Sequence, residues 1–140
     1  MSTVEPYKKK LPHILLVEDD DNYAVSIQHA LKTYCCLDHA TTESQALRLL
    51  YIDSYDVLLL DMTLNTGYLS GFQFLEYLRR MERFQDLVII SVSGTTQKTL
   101  EASPSFSKLN ASLTKPVKAK DLIATIERCL VESKEHAAVL

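Results

Sequence analysis

The chain has 140 residues, the length of one domain around a single hydrophobic core, and its 46% hydrophobic and 24% charged residues are typical of globular proteins. A net charge of -3 argues against a general nucleic-acid binder, because neutralising a phosphate backbone requires a basic surface. No apolar run is long enough to cross a bilayer and the N-terminus lacks the apolar segment of a signal peptide, so we expect a cytoplasmic protein without membrane insertion.

Short apolar runs separated by polar segments predict five β-strands. They comprise His13–Val17, Cys36–Ala40, residues 56–62, residues 87–93 and Ala111–Thr114. The runs HILLV, DVLLLDM and LVIISVS are continuous rather than alternating, which is typical of strands buried on both faces. Residues 1–12, before the first run, are polar and contain two prolines, and we predict that they form a flexible leader.

Amphipathic segments follow the strands and predict five helices. Asn22 and the acidic residues before it are good N-caps, and Thr42 with Gln45 makes a capping-box pattern. Gly71 precedes a strongly amphipathic helix. Pro104 weakens the fourth helix, because it lacks an amide donor and restricts the residue before it. The closing helix carries an apolar stripe made of Leu122, Ile123, Ile126, Cys129 and Leu130.

The alternation of strands and helices predicts a doubly wound α/β fold, in which helices cover both sides of a parallel sheet. We assign residues 13–132 to this one domain and residues 133–140 to a C-terminal tail, since the last segment lacks a firm hydrophobic period. The three cysteines and four histidines lack metal-ligand spacing, and we expect reduced thiols and no histidine chemistry.

Polar side chains follow the predicted strands at the points where these end. They are Glu18 and Asp19 after the first strand, Asp61 after the third, Ser93 at the end of the fourth and Lys115 after the fifth. Because open parallel sheets bind ligands beyond the carboxyl ends of their strands, we expect these side chains to gather at one edge.

The composition of this set indicates its chemistry. Three crowded carboxylates cannot all remain ionised without a cation, and oxygen ligands of this kind suit Mg²⁺. Lys115 supplies a positive charge for a phosphate or for Asp61, and Ser93 can donate a hydrogen bond to a phosphoryl oxygen. Taken alone, Asp61 could be an ordinary residue that caps a turn. Its combination with Asp19 and Lys115 indicates phosphoryl transfer onto a carboxylate, with Mg²⁺ as cofactor.

Four motifs resemble the receiver domain of two-component response regulators. LLVEDD matches the acidic pair of that family, DVLLLDM its phosphoacceptor strand, IISVSG its hydroxyl strand and SLTKP its Lys-Pro motif, in the same order and spacing. The likeness extends from His13 to about Val131. It implies a flavodoxin-like fold with strand order 2-1-3-4-5 and a single-domain phosphorelay protein.

The resemblance also implies roles for the polar side chains. Asp61 would be the phosphoacceptor, with a histidine kinase or a histidine phosphotransfer protein as donor. Ser93 and Lys115 would contact the phosphoryl group, and the peptide bond between Lys115 and Pro116 would be cis. The Mg²⁺ ligands would be Glu18, Asp19, Asp61 and the backbone carbonyl of Thr63.

The sequence departs from the family pattern near the site. Asn65 stands where the loop after the phosphoacceptor usually has a proline, and Gly71 comes two residues late, which lengthens the loop. Ser112 replaces an aromatic residue whose rotamer is coupled, in the family, to the hydroxyl position. Pro104 interrupts the fourth helix, which forms the family's partner face together with the fifth strand and the fifth helix.

Two threonines stand where the family tunes hydrolysis of the acyl phosphate. Thr63 and Thr95 lie two places beyond Asp61 and Ser93, and an amide or carboxylate there can orient the attacking water. We therefore expect the phosphorylated form to last longer than in members with an amide at the first position.

The sequence leaves two functions open. The first is a stand-alone receiver, not an enzyme, which is phosphorylated on Asp61 and signals to a downstream protein as a monomer or weak dimer. The second is a receiver-like interaction module that switches weakly or without phosphorylation, which the missing aromatic and the altered loop keep open. A phosphatase with Asp61 as nucleophile is disfavoured, because no acid stands at Thr63 to protonate a leaving group.

Overall fold

The computed structural model describes residues 10–64, 70–94 and 96–139, so most of the predicted leader lies outside the described residues. Within these residues the strands are β1 (His13–Val17), β2 (Cys36–Ala40), β3 (Val57–Leu60), β4 (Val88–Ser93) and β5 (Ala111–Thr114). The helices are α1 (Asp21–Leu31), α2 (Glu43–Ile52), α3 (Gly71–Arg80), α4 (Gln97–Glu101) and α5 (Ala119–Val139). Short 3₁₀ turns, Glu82–Phe84 and Pro104–Lys108, precede β4 and β5.

The strands form one parallel sheet in the order β2-β1-β3-β4-β5. Val17 lies opposite both Ala40 and Leu60, so β1 is central between β2 and β3. The predicted doubly wound α/β fold with strand order 2-1-3-4-5 is confirmed. Because all strands run in the same direction, the residues that follow β1, β3, β4 and β5 meet at one edge, which we call the carboxyl edge.

Side chains of the central strands alternate between two hydrophobic layers. Leu15 and Leu58 belong to a layer closed by α2, α3 and α4, whereas Leu16 and Leu59 belong to one closed by α1 and α5. The helices contribute Ala46, Leu50, Phe74, Leu75, Leu78 and Leu100 to the first layer and Ala24, Ile27, Leu31, Leu122, Ile126 and Cys129 to the second. Burial on both faces fixes the strands in place, and with them the carboxyl edge.

Side-chain caps fix the starts of α1 and α2. Asp20 caps α1, since its Oδ1 accepts a hydrogen bond from Tyr23 N at 3.2 Å. Thr42 caps α2 by accepting from Gln45 N at 3.1 Å, as the sequence pattern predicted. The Gln45 side chain, however, accepts from Thr41 N at 2.7 Å, one residue before the expected position. The capping box is therefore shifted, but the helix begins where predicted.

The fourth helix is short, in agreement with the predicted effect of Pro104. α4 ends at Glu101, and Pro104 starts the 3₁₀ turn that follows. Ser103 accepts a hydrogen bond from Ser105 N at 3.3 Å and so caps this turn. The proline thus ends one helical segment and begins another.

The fifth helix is longer than the sequence analysis proposed. The tail that we placed at residues 133–140 is corrected, because α5 continues as far as Val139. This segment has no glycine or proline, and four of its eight residues are Lys, Glu or Ala, which favour a helix even without a clear apolar stripe. Among the residues that the structure describes, neither α5 nor a shorter helix combines the length and hydropathy needed to span a bilayer.

Candidate functional site

Glu18 is fixed at the end of β1 by its own backbone. Its N–H donates to Ala40 O at 3.0 Å, and its carbonyl accepts a hydrogen bond from His39 Nε2 at 2.8 Å. Both partners belong to β2, so the neighbouring strand holds this peptide in place. The Glu18 side chain is only 1% exposed, whereas Asp19 is exposed to solvent.

Asp61 follows β3, and its two carboxylate oxygens have different partners. Its N–H donates to Val17 O at 3.1 Å, which places Asp61 beside the end of β1. Oδ1 accepts hydrogen bonds from Thr63 N at 2.9 Å and from Thr63 Oγ1 at 2.7 Å. Oδ2 faces Lys115 Nζ at 3.6 Å. Thr63 therefore restrains one oxygen and leaves Oδ2 oriented toward the ammonium group.

Lys115 reaches the carboxylates from the end of β5. Its N–H donates to Ser93 O at 2.9 Å, and its peptide bond to Pro116 is cis, as expected from the resemblance. Nζ lies 2.5 Å from Glu18 Oε1 and 4.1 Å from the centre of the Tyr23 ring. Burial lowers the pKa of Lys115, but the neighbouring carboxylates outweigh this effect and raise it. The ammonium thus stays protonated and balances the acidic groups.

The three carboxylates that the sequence singled out do come together. Ligand oxygens of Glu18, Asp19 and Asp61 all lie within 4.8 Å of one another. Burial and the adjacent Asp61 raise the pKa of Glu18 to about 7, against the lowering effect of Lys115. Burial also acts to raise the pKa of Asp61, but hydrogen bonds from Glu18 and Thr63 hold it below its ordinary value. Two buried carboxylates that compete for one proton form a site in which a divalent cation can take the place of that proton.

Ser93 lies where the sequence predicted it, at the end of β4. It is fully buried and lies opposite Thr114, the residue before Lys115. Ser93 therefore belongs to the carboxyl edge, and its contact with a phosphoryl group stays a prediction. Thr95 and Asn65, for which we predicted effects on hydrolysis and on the loop, lie outside the described residues.

The start of α3 packs directly against the phosphoacceptor segment. Gly71 does not precede the helix, as the sequence suggested, but is its first residue, and Ser70 and Gln73 form a capping box around it. A Cβ atom on Gly71 would lie 2.6 Å from Met62 Cα and 2.9 Å from Asp61 O. Only a glycine permits this approach of the helix to the end of β3.

A second cluster of candidate metal ligands lies at the amino end of β1 and does not suit a cation. His13, Asp38 and Asp53 each place a ligand atom within 4.8 Å of the others. His13 Nδ1 lies 2.9 Å from Ser54 O, and its Nε2 lies 2.9 Å from Asp38 Oδ2. Both oxygens are acceptors, so both ring nitrogens donate and neither keeps a lone pair for a metal. Burial lowers the pKa of His13, but its hydrogen bonds to Asp38 and Ser54 outweigh this and raise it.

The sequence analysis missed three groups at the carboxyl edge: the Tyr23 ring, the His39 imidazole and the Thr63 hydroxyl. A signal existed for Tyr23, because the first turn of a helix that follows a strand stays close to the strand end. For Thr63, the sequence analysis considered a backbone carbonyl for the metal and a position that tunes hydrolysis, but not a hydroxyl bonded to Asp61. His39 could not be identified, because its contact with Glu18 depends on the register between β1 and β2.

The chain matches a known family over most of its length. The sequence model of the family described as the response regulator receiver domain matches residues 14–127. No curated protein is similar enough in sequence to count as a relative. The fold is similar to that of a sensor protein from Polaromonas sp. JS666, with a TM-score of 0.79 and 25% identity over 87% of this chain and 98% of that one.

Two further solved structures share the fold at lower identity. The receiver domain of the sensor histidine kinase PA1611 from Pseudomonas aeruginosa PAO1, which has a magnesium ion in its active site cleft, gives a TM-score of 0.76 and 24% identity over 86% of this chain and 98% of that one. NtrX from Brucella abortus gives a TM-score of 0.82 and 23% identity over 92% of this chain but only 29% of that one. The chain therefore corresponds to one part of NtrX.

Proposed function

The chain belongs to the family of response regulator receiver domains, and from this premise we propose that it accepts a phosphoryl group on Asp61 and signals through protein contacts. The donor is a histidine kinase or a histidine phosphotransfer protein, and the signal passes to a downstream protein. The chain modifies only its own side chain and is not an enzyme with a separate substrate. The observation that carries this proposal is the arrangement around Asp61, whose Oδ2 faces Lys115 Nζ at 3.6 Å while Thr63 holds its Oδ1.

The transfer step needs an oriented oxygen and a balancing charge. Asp61 Oδ2 attacks the phosphorus atom of the donor, and an O–P bond forms as the P–N bond of the phosphohistidine breaks. The electron pair of that bond stays on the departing nitrogen, and the imidazole takes up a proton from solvent. Lys115 supplies positive charge to the phosphoryl oxygens, and Ser93 supplies a hydroxyl donor at the same edge.

The acidic residues at the carboxyl edge suit a magnesium ion. Their ligand oxygens lie within 4.8 Å of one another, and oxygen ligands are those that Mg²⁺ prefers. The receiver domain of PA1611, which shares the fold, holds such an ion in its active site cleft. When bound, the ion neutralises charge on the carboxylates and on the phosphoryl group. The residues that would hold it are Glu18, Asp19, Asp61 and Thr63, the last through its backbone carbonyl.

Intact mass after incubation with acetyl phosphate and Mg²⁺ tests the proposal. The native chain is expected to gain one phosphoryl group and Asp61→Asn none, because a carboxamide oxygen is a poor nucleophile. Asp56→Asn is the matched control, since it changes the same residue type immediately before β3, at the other end of that strand. It should gain the phosphoryl group as the native chain does.

Two results would contradict the phosphoacceptor role. One is an adduct on Asp61→Asn equal to that on the native chain. The other is a native chain that gains no phosphoryl group and also fails to bind beryllofluoride, an acyl-phosphate mimic, in the presence of Mg²⁺. The second reagent is included because a small phosphate donor can fail where a protein donor succeeds.

One contact favours a second candidate, an interaction module that changes little on phosphorylation. The Ser112 hydroxyl donates to Gln97 Oε1 at 2.7 Å, at the position where the family has a ring that changes rotamer. This bond already joins β5 to the first residue of α4. In this second case, beryllofluoride should shift NMR resonances only near Asp61. In the first, the shifts should extend across α4, β5 and α5.

We expect Thr63→Asn to shorten the lifetime of the phosphorylated form about tenfold, which corresponds to about 1.4 kcal/mol of activation free energy. Thr63 directs both its N–H and its hydroxyl at Asp61 Oδ1, so neither group is directed at an attacking water. A carboxamide can extend further and orient that water. The measurement is the loss of the phosphoryl group with time, with Thr63→Val as the control that removes only the hydroxyl. An unchanged or longer lifetime in Thr63→Asn would refute this explanation.

A further inference from the structure

The Tyr23 ring covers the ammonium group of Lys115. Nζ lies 4.1 Å from the centre of the ring, within the range of a cation–π interaction. Asp20 holds the Tyr23 backbone in place by accepting its N–H at 3.2 Å. The ring is partly buried and packs against the hydrophobic layer closed by α1 and α5. Tyr23 thus lines the site as a partly buried residue whose ring packs on the core.

Among the described residues, the ammonium also contacts two carboxylates that the proposed reaction needs. Nζ lies 2.5 Å from Glu18 Oε1 and 3.6 Å from Asp61 Oδ2. In the proposed transfer, Asp61 Oδ2 forms the bond to phosphorus, and Glu18 is one of the residues that would hold the cation. Both carboxylates therefore change partner, whereas no step of the proposed transfer involves the face of the Tyr23 ring. The ring can hold the ammonium at the carboxyl edge before and after transfer.

We propose that Tyr23 is a positioning residue for Lys115, which keeps the ammonium directed at the phosphoryl oxygens while the carboxylates change partner. This inference rests on the proposed function described above. The ring face carries the interaction, because its quadrupole attracts the cation whether or not a hydroxyl is present. A phenylalanine at position 23 should therefore still position Lys115, whereas an aliphatic residue of similar bulk should not.

Phosphorylation rates of Tyr23→Leu and Tyr23→Phe test this role. With acetyl phosphate and saturating Mg²⁺, we expect Tyr23→Leu to be phosphorylated about tenfold more slowly than the native chain, and Tyr23→Phe to keep most of the rate. Tyr51→Leu is the matched control, since Tyr51 also stacks on a cation, with Arg83 Cζ 5.0 Å from its ring centre. Tyr51 packs on Phe84 before β4, away from the carboxyl edge, and its loss should not change the rate.

A direct readout of the contact separates positioning from simple packing. Protons on the ε-carbon of Lys115 should show an upfield ring-current shift in the native chain and in Tyr23→Phe, and lose it in Tyr23→Leu. The Mg²⁺ affinity should be equal in all three, because the carboxylates that would hold the ion, those of Glu18, Asp19 and Asp61, are unchanged in each of them. A packing role predicts instead that melting temperature, Mg²⁺ affinity and rate all fall together in Tyr23→Leu.

The proposal is overturned if Tyr23→Leu loses the ring-current shift but keeps the native rate, or if Tyr23→Phe slows as much as Tyr23→Leu. Failure of the proposed function has a different signature. In that case the native chain shows no phosphoryl adduct and no beryllofluoride binding, although the shift of the Lys115 protons is still present.

Discussion

Replacing Arg79 by methionine is expected to lower the free energy of unfolding by about 3 kcal/mol. The half-buried guanidinium joins three segments, which are the 3₁₀ turn after α3, the residue before β4 and the residues that lead into β5. Its five hydrogen bonds, of 2.7 to 3.2 Å, reach the carbonyls of Phe84, Gln85, Leu87 and Lys108 and the side chain of Asn110. Methionine keeps most of the apolar stem but leaves these acceptors without their charged donor.

Urea unfolding of two neighbouring variants isolates this network. Arg80 is the next residue of α3 and is exposed, so Arg80→Met should change the free energy of unfolding by no more than about 0.5 kcal/mol. The free energy of unfolding of Arg79→Lys should lie between those of Arg79→Met and Arg80→Met. An ammonium keeps the charge but lacks the planar guanidinium that donates to several carbonyls at once. Equal midpoints for Arg79→Met and Arg80→Met would show that the network adds nothing to stability.

Gly71→Ala is expected to lower the free energy of unfolding by about 2 kcal/mol and to slow phosphorylation of Asp61. The added Cβ would lie 2.6 Å from Met62 Cα, 2.8 Å from Met62 O and 2.9 Å from Asp61 O. All three are backbone atoms that cannot rotate away, so either α3 or the segment after β3 must move. The higher helix propensity of alanine offsets less than about 1 kcal/mol. A shift of this segment carries the Asp61 carboxylate with it.

Gly94→Ala is the control for this substitution. Gly94 follows β4 at the same edge, and a Cβ placed on it meets no atom of the described residues within 4 Å. We expect its free energy of unfolding to stay within about 0.5 kcal/mol of the native value. Thermal unfolding provides this comparison, and intact mass with acetyl phosphate provides the rate for Gly71→Ala. A Gly71→Ala chain as stable as Gly94→Ala would mean that α3 can move away from Met62 at no cost.

The regular elements of the fold could be predicted because their signals are local. The run of buried residues at His13–Val17 and the strand Ala111–Thr114 have the same bounds in the structure as in the sequence analysis. The third strand was predicted too long, because Asp61 and Met62 are buried but lie beyond the last paired residue, Leu60. Hydrophobicity alone cannot separate a buried strand from a buried turn that follows it.

The candidate site could be predicted only in part. The sequence predicted Glu18, Asp61 and Lys115 at one edge because parallel strands share their direction. In the structure, the carboxylates of Glu18 and Asp61 lie within 3.6 Å of Lys115 Nζ. The contacts of Tyr23 and of the Thr63 hydroxyl depend on rotamers and on the path of a turn. These follow from packing in three dimensions, for which a single sequence carries no periodic signal.

The bond from Lys115 to Glu18 joins residues that are 97 positions apart, and this separation affects how the site comes into being. Contacts between distant parts of a chain form late in folding, because the entropy of closing a long loop opposes them. If β1 and β3 paired before β5 docked, the carboxylates of Glu18 and Asp61 would lie together without the ammonium, and their repulsion would oppose collapse. Docking of β5 would relieve it. The balance of charge at the carboxyl edge therefore depends on β5, the strand that lies farthest in sequence from Glu18.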